Sequence, residues 1–317
     1  MLGNVRYVRP PGVDDLDRAW RAVSGVLAPT PLVSSGLADG AALKLETFQP
    51  TGAFKVRGAL AALAALPDGV PAVTASAGNH GLGMGYAAAR VGADVTVVVS
   101  TRASRVKVER IAAYPVRLVQ HGTTYDEAEA HATALTARSS GRYVSAYNDP
   151  AVIAGQGTIG RELDEQADGP LTVVAPVGGG GLLAGLSLWA RERGDVRLVG
   201  VESAVSRGVS ASVAAGRVIE VDVGETFADG LPGNLEPGCV TPGVIGPDAA
   251  LTAVTDDQIR TALRWLFREH GLVAEGAGAA GVAAVLAGKV EVTGRLVVVV
   301  SGRNITGETY VDALREG

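Results

Sequence analysis

The chain has very little cysteine and no long apolar run. Cys239 is the only cysteine among 317 residues, which excludes an intramolecular disulfide and argues against a metal site built from several thiolates. No run approaches the roughly 18 apolar residues of a membrane-spanning helix, and residues 1–10 lack the apolar core of a signal peptide. We therefore expect a soluble cytoplasmic protein that has no membrane partner.

Positive charge and aromatic side chains are also scarce. The 28 basic residues are outnumbered by 33 acidic ones, and the net charge of −5 argues against a nucleic-acid partner. We interpret the most basic stretch as one solvated helix face, composed of Arg102, Arg105, Lys107 and Arg110. Aromatic residues make up 4% of the chain, whereas hydrophobic residues, many of them alanine and valine, make up 47%. This composition favours a tightly packed α/β protein over an aromatic-rich β-sandwich.

The chain does contain a series of short β-rich runs, each followed by small residues or a helical pattern. Strands are predicted at residues 70–76, 95–99, 171–177, 198–201 and 295–300, and helices at residues 14–24, 82–91, 125–138, 155–168, 182–193, 256–270 and 277–287. Near-continuous apolar strands that alternate with helices are typical of parallel sheets, which bind ligands at the carboxyl ends of their strands. We expect a large domain of residues 1–66 and 147–317 and a small inserted domain of residues 67–146.

Lys55 lies in the segment QPTGAFKVRG, residues 49–58, between the apolar side chains of Phe54 and Val56. Burial disfavours the ammonium form and lowers the pKa of a lysine from its usual value of about 10.4. The neutral amine that results can form Schiff bases and abstract protons. A structural lysine whose alkyl stem lies along an apolar surface would have the same neighbours. Other segments must decide between these two interpretations.

Four consecutive glycines, Gly178 to Gly181, join a predicted strand to a predicted helix. Their backbone N–H groups and the helix N-terminus would form a cradle that suits a phosphate. A flexible connector is one alternative. A nicotinamide-binding unit is another, because residues 179–184 (GGGLLA) match the dinucleotide fingerprint and Glu202 ends the following strand. The loop taken alone does not distinguish these possibilities.

Two further loops follow predicted strands. Residues 76–81 (SAGNHG) would offer N–H groups and short polar side chains to a carboxylate. Asn79 can donate and accept hydrogen bonds at once, which suits a phenolic oxygen, but it could also be only a helix cap. His80 fits a structural or orienting role better than metal ligation. Ser301 follows the strand at residues 295–300, where its hydroxyl could bond a ring nitrogen or merely end the strand.

Together these segments resemble the fold type II pyridoxal-phosphate enzymes, specifically the serine/threonine dehydratase and serine racemase group. The matching segments run in family order and are residues 44–46 (KLE), 49–59 (QPTGAFKVRGA), 76–81 (SAGNHG), 150–158 (PAVIAGQGT), 176–181 (PVGGGG), 228–230 (ADG) and 301–304 (SGRN). They cover nearly the whole chain, which disfavours the nicotinamide alternative. The resemblance implies a tryptophan synthase β-like α/β fold. It has two open, twisted, parallel-rich sheets flanked by helices, with the cofactor in the cleft between domains.

The resemblance implies a cofactor, pyridoxal 5′-phosphate, and a role for each matching residue. Lys55 would hold the cofactor as a Schiff base, and Phe54 would pack beside its ring. Asn79 would bind the 3-hydroxyl, and Gly178, Gly179, Gly180 and Gly181 would bind the phosphate. Ser301 would meet the pyridine nitrogen. The substrate carboxylate would be bound by one loop, composed of Ser76, Ala77, Gly78, Asn79 and His80.

Other positions match the family less closely. Glu275 is a weaker cofactor-binding candidate, since the family often places a glutamate near the cofactor. Ala77 stands where serine racemases have a second serine, which disfavours racemisation. Glu202 matches a metal ligand of some members, but Gly208 stands where they have an aspartate, so a divalent cation is doubtful. Arg303 replaces a glycine of the family, and we expect it to face solvent or to recognise an extra anionic group on the substrate.

The resemblance implies an ammonia-lyase that carries out β-elimination on a small β-hydroxy amino acid. The proposed substrate is L-threonine or L-serine, the products are a 2-oxo acid and ammonia, and Lys55 is the base that removes the α-proton. The alternatives within the family are a racemase, a dehydratase of an unusual β-substituted amino acid, and a relative that binds the cofactor without activity. A nicotinamide oxidoreductase is the alternative outside it. The family also implies a homodimer.

Overall fold

The computed structural model describes residues 6–315, and their strands form two sheets. The strands are β1 (Leu32–Ser34), β2 (Ala42–Leu45), β3 (Ala72–Ala75), β4 (Val95–Val99), β5 (Arg117–Gln120), β6 (Arg142–Tyr143), β7 (Leu171–Pro176), β8 (Val196–Ser203), β9 (Ala250–Val254) and β10 (Arg295–Val300). One sheet has the order β1-β2-β10-β7-β8-β9 and the other the order β5-β4-β3-β6. Strands β1 and β2 pair antiparallel, and the other pairs of named strands are parallel. The expected pair of parallel-rich sheets is confirmed.

Helices connect the strands and cover the sheets. They are α1 (Val13–Ser24), α2 (Lys55–Ala64), α3 (Asn79–Val91), α4 (Arg105–Ala112), α5 (Tyr125–Ser139), α6 (Pro150–Gln166), α7 (Gly181–Arg193), α8 (Gly208–Ala215), α9 (Thr241–Ile245), α10 (Asp256–His270), α11 (Gly276–Leu286) and α12 (Gly307–Leu314). A short 3-10 helix spans Glu46–Phe48. None of these helices is both long and apolar enough to cross a membrane.

The six-stranded sheet is buried on both faces because successive side chains of a strand point to opposite sides. Val173 of β7 packs into the core formed with α6 and α7, which includes the buried Trp189. Its neighbour Val174 packs into the opposite core, formed with α10 and α11. Each fully buried aliphatic side chain contributes about 1.5–3 kcal/mol. The strands are therefore apolar along their whole length, which explains the near-continuous runs in the sequence.

The predicted helices differ from those of the structure mainly in where they begin, but the prediction does not include α2, α8, α9 and α12. α6 begins at Pro150 rather than at residue 155, because the Asp149 carboxylate accepts hydrogen bonds from the N–H groups of Ala151 at 2.9 Å and Val152 at 3.1 Å. α2 is missing from the predicted helices. Its residues 56–63 are all buried, so it lacks the polar face that marks an amphipathic helix. This unpredicted helix is the one that carries Lys55.

Candidate active site

Lys55 is the first residue of α2 and lies beside the end of β10. The N–H of Phe54 donates to the carbonyl of Ser301 at 3.0 Å, which joins the helix start to the strand end. The Lys55 Nζ donates to the carbonyl of Ala146 at 2.7 Å and lies 5.3 Å from the centre of the Phe54 ring. Burial lowers the Lys55 pKa to about 8, although the Glu275 carboxylate acts in the opposite direction. About a tenth of the amine is then neutral at pH 7, far more than in an exposed lysine.

A buried ion cluster anchors the start of α2, close to Lys55 in the chain. It consists of Lys44, Glu46, Arg57 and Glu162. The four side chains are at most 2% exposed. Arg57 donates two hydrogen bonds of 2.8 Å to Glu46 and lies 2.6 Å from Glu162, and Lys44 lies 2.5 Å from Glu162. The cluster holds two positive and two negative charges. Because bidentate charged bonds are geometrically specific, the cluster fixes the position of the first turn of α2.

Asn79 begins α3 and is held by two polar side chains. Its Nδ2 donates to Glu275 Oε1 at 2.7 Å, and its Oδ1 accepts from Asn304 Nδ2 at 2.6 Å. Glu275 precedes α11 and is 6% exposed. Burial, assisted by the nearby Asp229 carboxylate, raises the Glu275 pKa to about 7. Its carboxyl group therefore takes up and releases a proton near neutral pH.

The turn between β3 and α3 carries the rest of the predicted carboxylate-binding loop. Ser76, Ala77 and Gly78 form this turn, in which the N–H of Gly78 donates to Ser76 Oγ at 3.2 Å. His80 is buried, and desolvation together with the charge of Lys55 lowers its pKa to about 3. Its imidazole is therefore neutral at physiological pH. Residues 6–315 contain no group of three or more histidine, cysteine, aspartate or glutamate side chains that could hold a metal ion.

The four glycines lie between β7 and α7 and have no room for side chains. A Cβ at Gly178 would lie 2.6 Å from the carbonyl oxygen of Gly230, and one at Gly179 would overlap the ring of Tyr147. Gly180 has a φ of 83°, in the left-handed region that favours glycine. Within the described residues, the N–H groups of Gly178, Gly179 and Gly180 donate to no protein atom. Three unpartnered donors beside a helix N-terminus are the arrangement that suits an anion.

Two predicted residues lie at the carboxyl ends of the central strands. Ser301 follows β10 and is 1% exposed, and its hydroxyl has no hydrogen-bond partner among residues 6–315. Glu202 belongs to β8 and is also 1% exposed. Its carboxylate accepts from the N–H groups of Val209 at 2.9 Å and Ser210 at 3.2 Å, and from the Ser210 hydroxyl. The Glu202 carboxylate thus satisfies the N-terminus of α8.

Tyr147 and Thr241 border the glycine loop, although no sequence motif marks them. The Tyr147 hydroxyl accepts from the N–H of Glu236 at 3.0 Å, and the Thr241 hydroxyl donates to the carbonyl of Gly179 at 2.8 Å. Tyr147 directly follows Ala146, whose carbonyl receives the Lys55 amine. One short segment therefore contacts both the lysine and the glycine loop. The only sequence signal for it was the predicted domain boundary at residues 147–150.

The basic stretch around α4 is not a uniformly solvated face. Lys107 Nζ lies 2.7 Å from the Asp229 carboxylate, and Arg110 Nη2 donates to Asn304 Oδ1 at 2.9 Å. The solvated interpretation describes Arg110, which is exposed, but not the half-buried Lys107, and both side chains also reach loops of the six-stranded sheet. It holds for Arg105, whose side chain is 90% exposed. No sequence pattern indicates contacts between residues so far apart in the chain.

The family model for pyridoxal-phosphate dependent enzymes matches residues 23–302. The L-threonine ammonia-lyase of Thermotoga maritima is 36% identical over 306 residues, which cover 92% of this chain and 75% of that protein. The processed form of threonine deaminase isoform 2 from Solanum lycopersicum superposes with a TM-score of 0.87 at 27% identity, over 98% and 96% of the two chains. Maize serine racemase also superposes with a TM-score of 0.87 at 27% identity, over 96% and 97%.

Proposed function

Because the chain belongs to the family of pyridoxal-phosphate dependent enzymes, we propose that it eliminates the β-hydroxyl group of a small β-hydroxy amino acid and yields a 2-oxo acid and ammonia. L-Threonine and L-serine are the proposed substrates. The 36% identical L-threonine ammonia-lyase supports L-threonine. The buried amine of Lys55, with its pKa of about 8, supplies the base that such an elimination requires.

The described residues fit pyridoxal phosphate at each of its functional groups. The unpartnered N–H groups of Gly178 to Gly180 suit the phosphate, and the crowding around them leaves no space for side chains that would fill the cradle. The unpartnered hydroxyl of Ser301 suits the ring nitrogen. Lys55 suits the aldehyde, and Phe54 suits one side of the ring. Asn79 suits the 3-oxygen, and because its Nδ2 donates to Glu275 Oε1 at 2.7 Å we propose that Glu275 acts through Asn79.

The cofactor and the side chains of this protein supply different parts of the proposed reaction. When bound, the cofactor supplies an aldehyde that condenses with amines and a ring that accepts electron density from the α-carbon. Lys55 Nζ removes the α-proton, and the Ala146 carbonyl orients that amine. The N–H groups of residues 76–80 bind the substrate carboxylate. The C–O bond breaks as the Cα–Cβ double bond forms, and the proton that leaves with the β-hydroxyl group as water balances the one that Lys55 takes up. Ser301 is neutral and does not protonate the ring nitrogen as a carboxylic acid would, which favours this prompt loss. Water then hydrolyses the released enamine to the 2-oxo acid and ammonia.

The presence of alanine at residue 77 is the observation that favours elimination over racemisation. Racemisation needs one acid–base group on each side of the α-carbon. Lys55 supplies one, but the turn between β3 and α3 has a methyl group at residue 77, where a racemase would need a hydroxyl. Racemisation is the second candidate because the maize serine racemase superposes as well as the threonine deaminase.

Incubation with L-threonine and with L-serine tests this function. We expect equal amounts of 2-oxo acid and ammonia and no D-amino acid. Formation of a D-amino acid without any 2-oxo acid would overturn the elimination. A panel of β-hydroxy and β-amino amino acids, followed by ammonia release, then ranks the substrates. The Lys55→Ala variant should remain folded and form no product, which distinguishes an enzyme from a relative that only binds the cofactor.

We also propose that residues 67–146 form a small domain beside the cleft and that the enzyme is a cytoplasmic homodimer. The four-stranded sheet supports the domain, since its strands all lie between residues 72 and 143. The dimer is an expectation from the family resemblance, and the cytoplasmic location is an expectation from the lack of long apolar runs in the sequence. Sedimentation of the holoenzyme tests the dimer, and a particle with the mass of one chain would contradict it.

A further inference from the structure

We propose that Arg110, an exposed residue of α4, is a positioning residue that makes Asn79 present an N–H group, and not its carbonyl oxygen, to the cofactor. This inference rests on the cofactor-binding role proposed above for Asn79. Arg110 is far from Asn79 in the chain and belongs to none of the motifs of the site. The two are linked by one chain of side-chain hydrogen bonds that crosses between the two sheets.

The chain of hydrogen bonds runs from Arg110 through Asn304 and Asn79 to Glu275. Arg110 Nη2 donates to Asn304 Oδ1 at 2.9 Å. Asn304 Nδ2 donates to the carbonyl of Thr51 at 2.8 Å and to Asn79 Oδ1 at 2.6 Å. Asn79 Nδ2 donates to Glu275 Oε1 at 2.7 Å. Each amide in this series is therefore bound on both of its polar ends.

The two polar atoms of Asn304 determine which group donates and which accepts along this series of hydrogen bonds. A guanidinium only donates hydrogen bonds and a backbone carbonyl only accepts them. The Asn304 atom that faces Arg110 must therefore be the oxygen, and the atom that faces Thr51 must be the nitrogen. Since that nitrogen also faces Asn79, the Asn79 atom opposite it must be Oδ1. The opposite orientation of Asn304 would place its nitrogen against the guanidinium and its oxygen against the Thr51 carbonyl.

Glu275 does not settle the orientation of Asn79 by itself. Its pKa of about 7 means that the carboxyl group is partly protonated near neutral pH, and in that form it can donate as well as accept. Asn304 favours one orientation of Asn79 at every pH, because its own amide is oriented by hydrogen bonds to Arg110 on one side and to Thr51 on the other. Arg110 thus contributes half of the constraint from outside the site.

The consequence for Asn79 differs from what its residue type suggests. An isolated asparagine can donate or accept, which would suit a phenolic oxygen in either protonation state. Here Oδ1 is engaged by Asn304, and one of the two Nδ2 hydrogens is engaged by Glu275. The second Nδ2 hydrogen remains for the cofactor, so Asn79 offers a donor only. A donor favours the ionised form of the 3-oxygen over its protonated form.

Other charged groups surround this amide chain and must be kept constant in any test. Glu275 acts on Lys55 and is itself influenced by Asp229 and Lys107, which form an ion pair with each other. Arg110→Met leaves these four residues in place. Arg105→Met is the matched control, because Arg105 lies on the same helix, is also exposed and pairs only with Glu109 within the helix.

The test compares the two variants as holoenzymes with the wild-type protein. Visible absorbance of the bound cofactor is titrated with pH, and the dissociation constant of pyridoxal phosphate is measured by adding it back to the apoprotein. Without Arg110, Asn79 can turn its carbonyl toward the 3-oxygen more easily, so the absorbance transition should move to higher pH. Loss of one hydrogen bond should also raise the dissociation constant about threefold to tenfold. Arg105→Met should change neither quantity.

The absorbance titration decides the outcome. A transition in Arg110→Met at the same pH as in Arg105→Met overturns the proposal, even if cofactor binding is weaker, because a purely structural contact would have that effect. Equal melting temperatures of the two variants show that the fold is unaffected. If the wild-type protein binds no pyridoxal phosphate at all, the proposed function fails and this inference fails with it, whereas an unmoved transition in a protein that does bind the cofactor overturns this inference alone.

Discussion

Replacement of Arg57 by methionine should destabilise the protein strongly, because it leaves the buried ion cluster with one uncompensated negative charge. Its side chains are at most 2% exposed, so water does not solvate an excess charge. Without Arg57, the carboxylates of Glu46 and Glu162 face Lys44 alone. Breaking a buried pair in this way costs about 3–5 kcal/mol. The unfolding entropy typical of a chain of 317 residues converts this into a fall of about 4–8 °C in melting temperature.

Thermal unfolding of the holoenzyme, followed by far-UV circular dichroism, measures this effect. Arg105→Met is the matched control, since it removes an ion pair whose side chains are 90% and 60% exposed, and it should stay within about 1 °C of the wild type. The double variant Arg57→Met with Glu46→Gln removes one charge of each sign. Its destabilisation should be smaller than the sum of the two single effects. Strict additivity, or an Arg57→Met variant as stable as Arg105→Met, would refute the reasoning.

Three further predictions concern the site itself. Gly179→Ala should weaken pyridoxal phosphate binding by tenfold or more, since the new Cβ overlaps the Tyr147 ring; unchanged affinity by equilibrium titration would contradict the cradle. In the apoprotein, the buried Lys55 ammonium lowers the free energy of unfolding below pH 8. This loss is relieved as the pH rises from about 8, the pKa of Lys55 in the folded protein, to 10.5, its pKa in the unfolded chain. Urea unfolding of the apoprotein at pH 7 should therefore show the Lys55→Met variant to be more stable than the wild type by up to about 3 kcal/mol, and this difference should vanish above pH 10.5. An equal difference at all pH values would argue against the lowered pKa. Ala77→Ser should form measurable D-serine from L-serine, and its absence by chiral chromatography would mean that residue 77 does not decide between elimination and racemisation.

The parts of the site that the sequence predicted are those encoded by local order. A strand, then small residues, then a helix is a continuous signal, so the glycine loop, the turn before Asn79 and the residue Ser301 could be found along the chain. Lys55 needed those loops as context, since its own neighbours are compatible with a structural lysine. The sheets follow in part from local patterns, because buried parallel strands such as β7 and β10 are apolar along their whole length. The sequence prediction did not include β1, β2, β5, β6 and β9.

The parts that could not be predicted depend on contacts between distant residues. Asn304 and Asn79 meet although they lie 225 positions apart, and Arg110 and Asn304 meet at a separation of 194. No periodicity or composition encodes such a pair. The Tyr147 ring likewise lies against Gly179, which is 32 positions away in the chain. Polar networks of this kind follow from the assembled fold and not from any one segment.

The central claim is that Lys55 carries the cofactor, and borohydride reduction of the holoenzyme tests it most directly. The other lysines of the chain are Lys44, Lys107 and Lys289, and each amine lies against a carboxylate or carbonyl oxygen. Reduction should bleach the visible absorbance, and peptide mass spectrometry should find the reduced cofactor on Lys55 alone. A cofactor fixed to any other lysine, or a Lys55→Ala variant that still releases 2-oxo acid at the wild-type rate, would contradict this account.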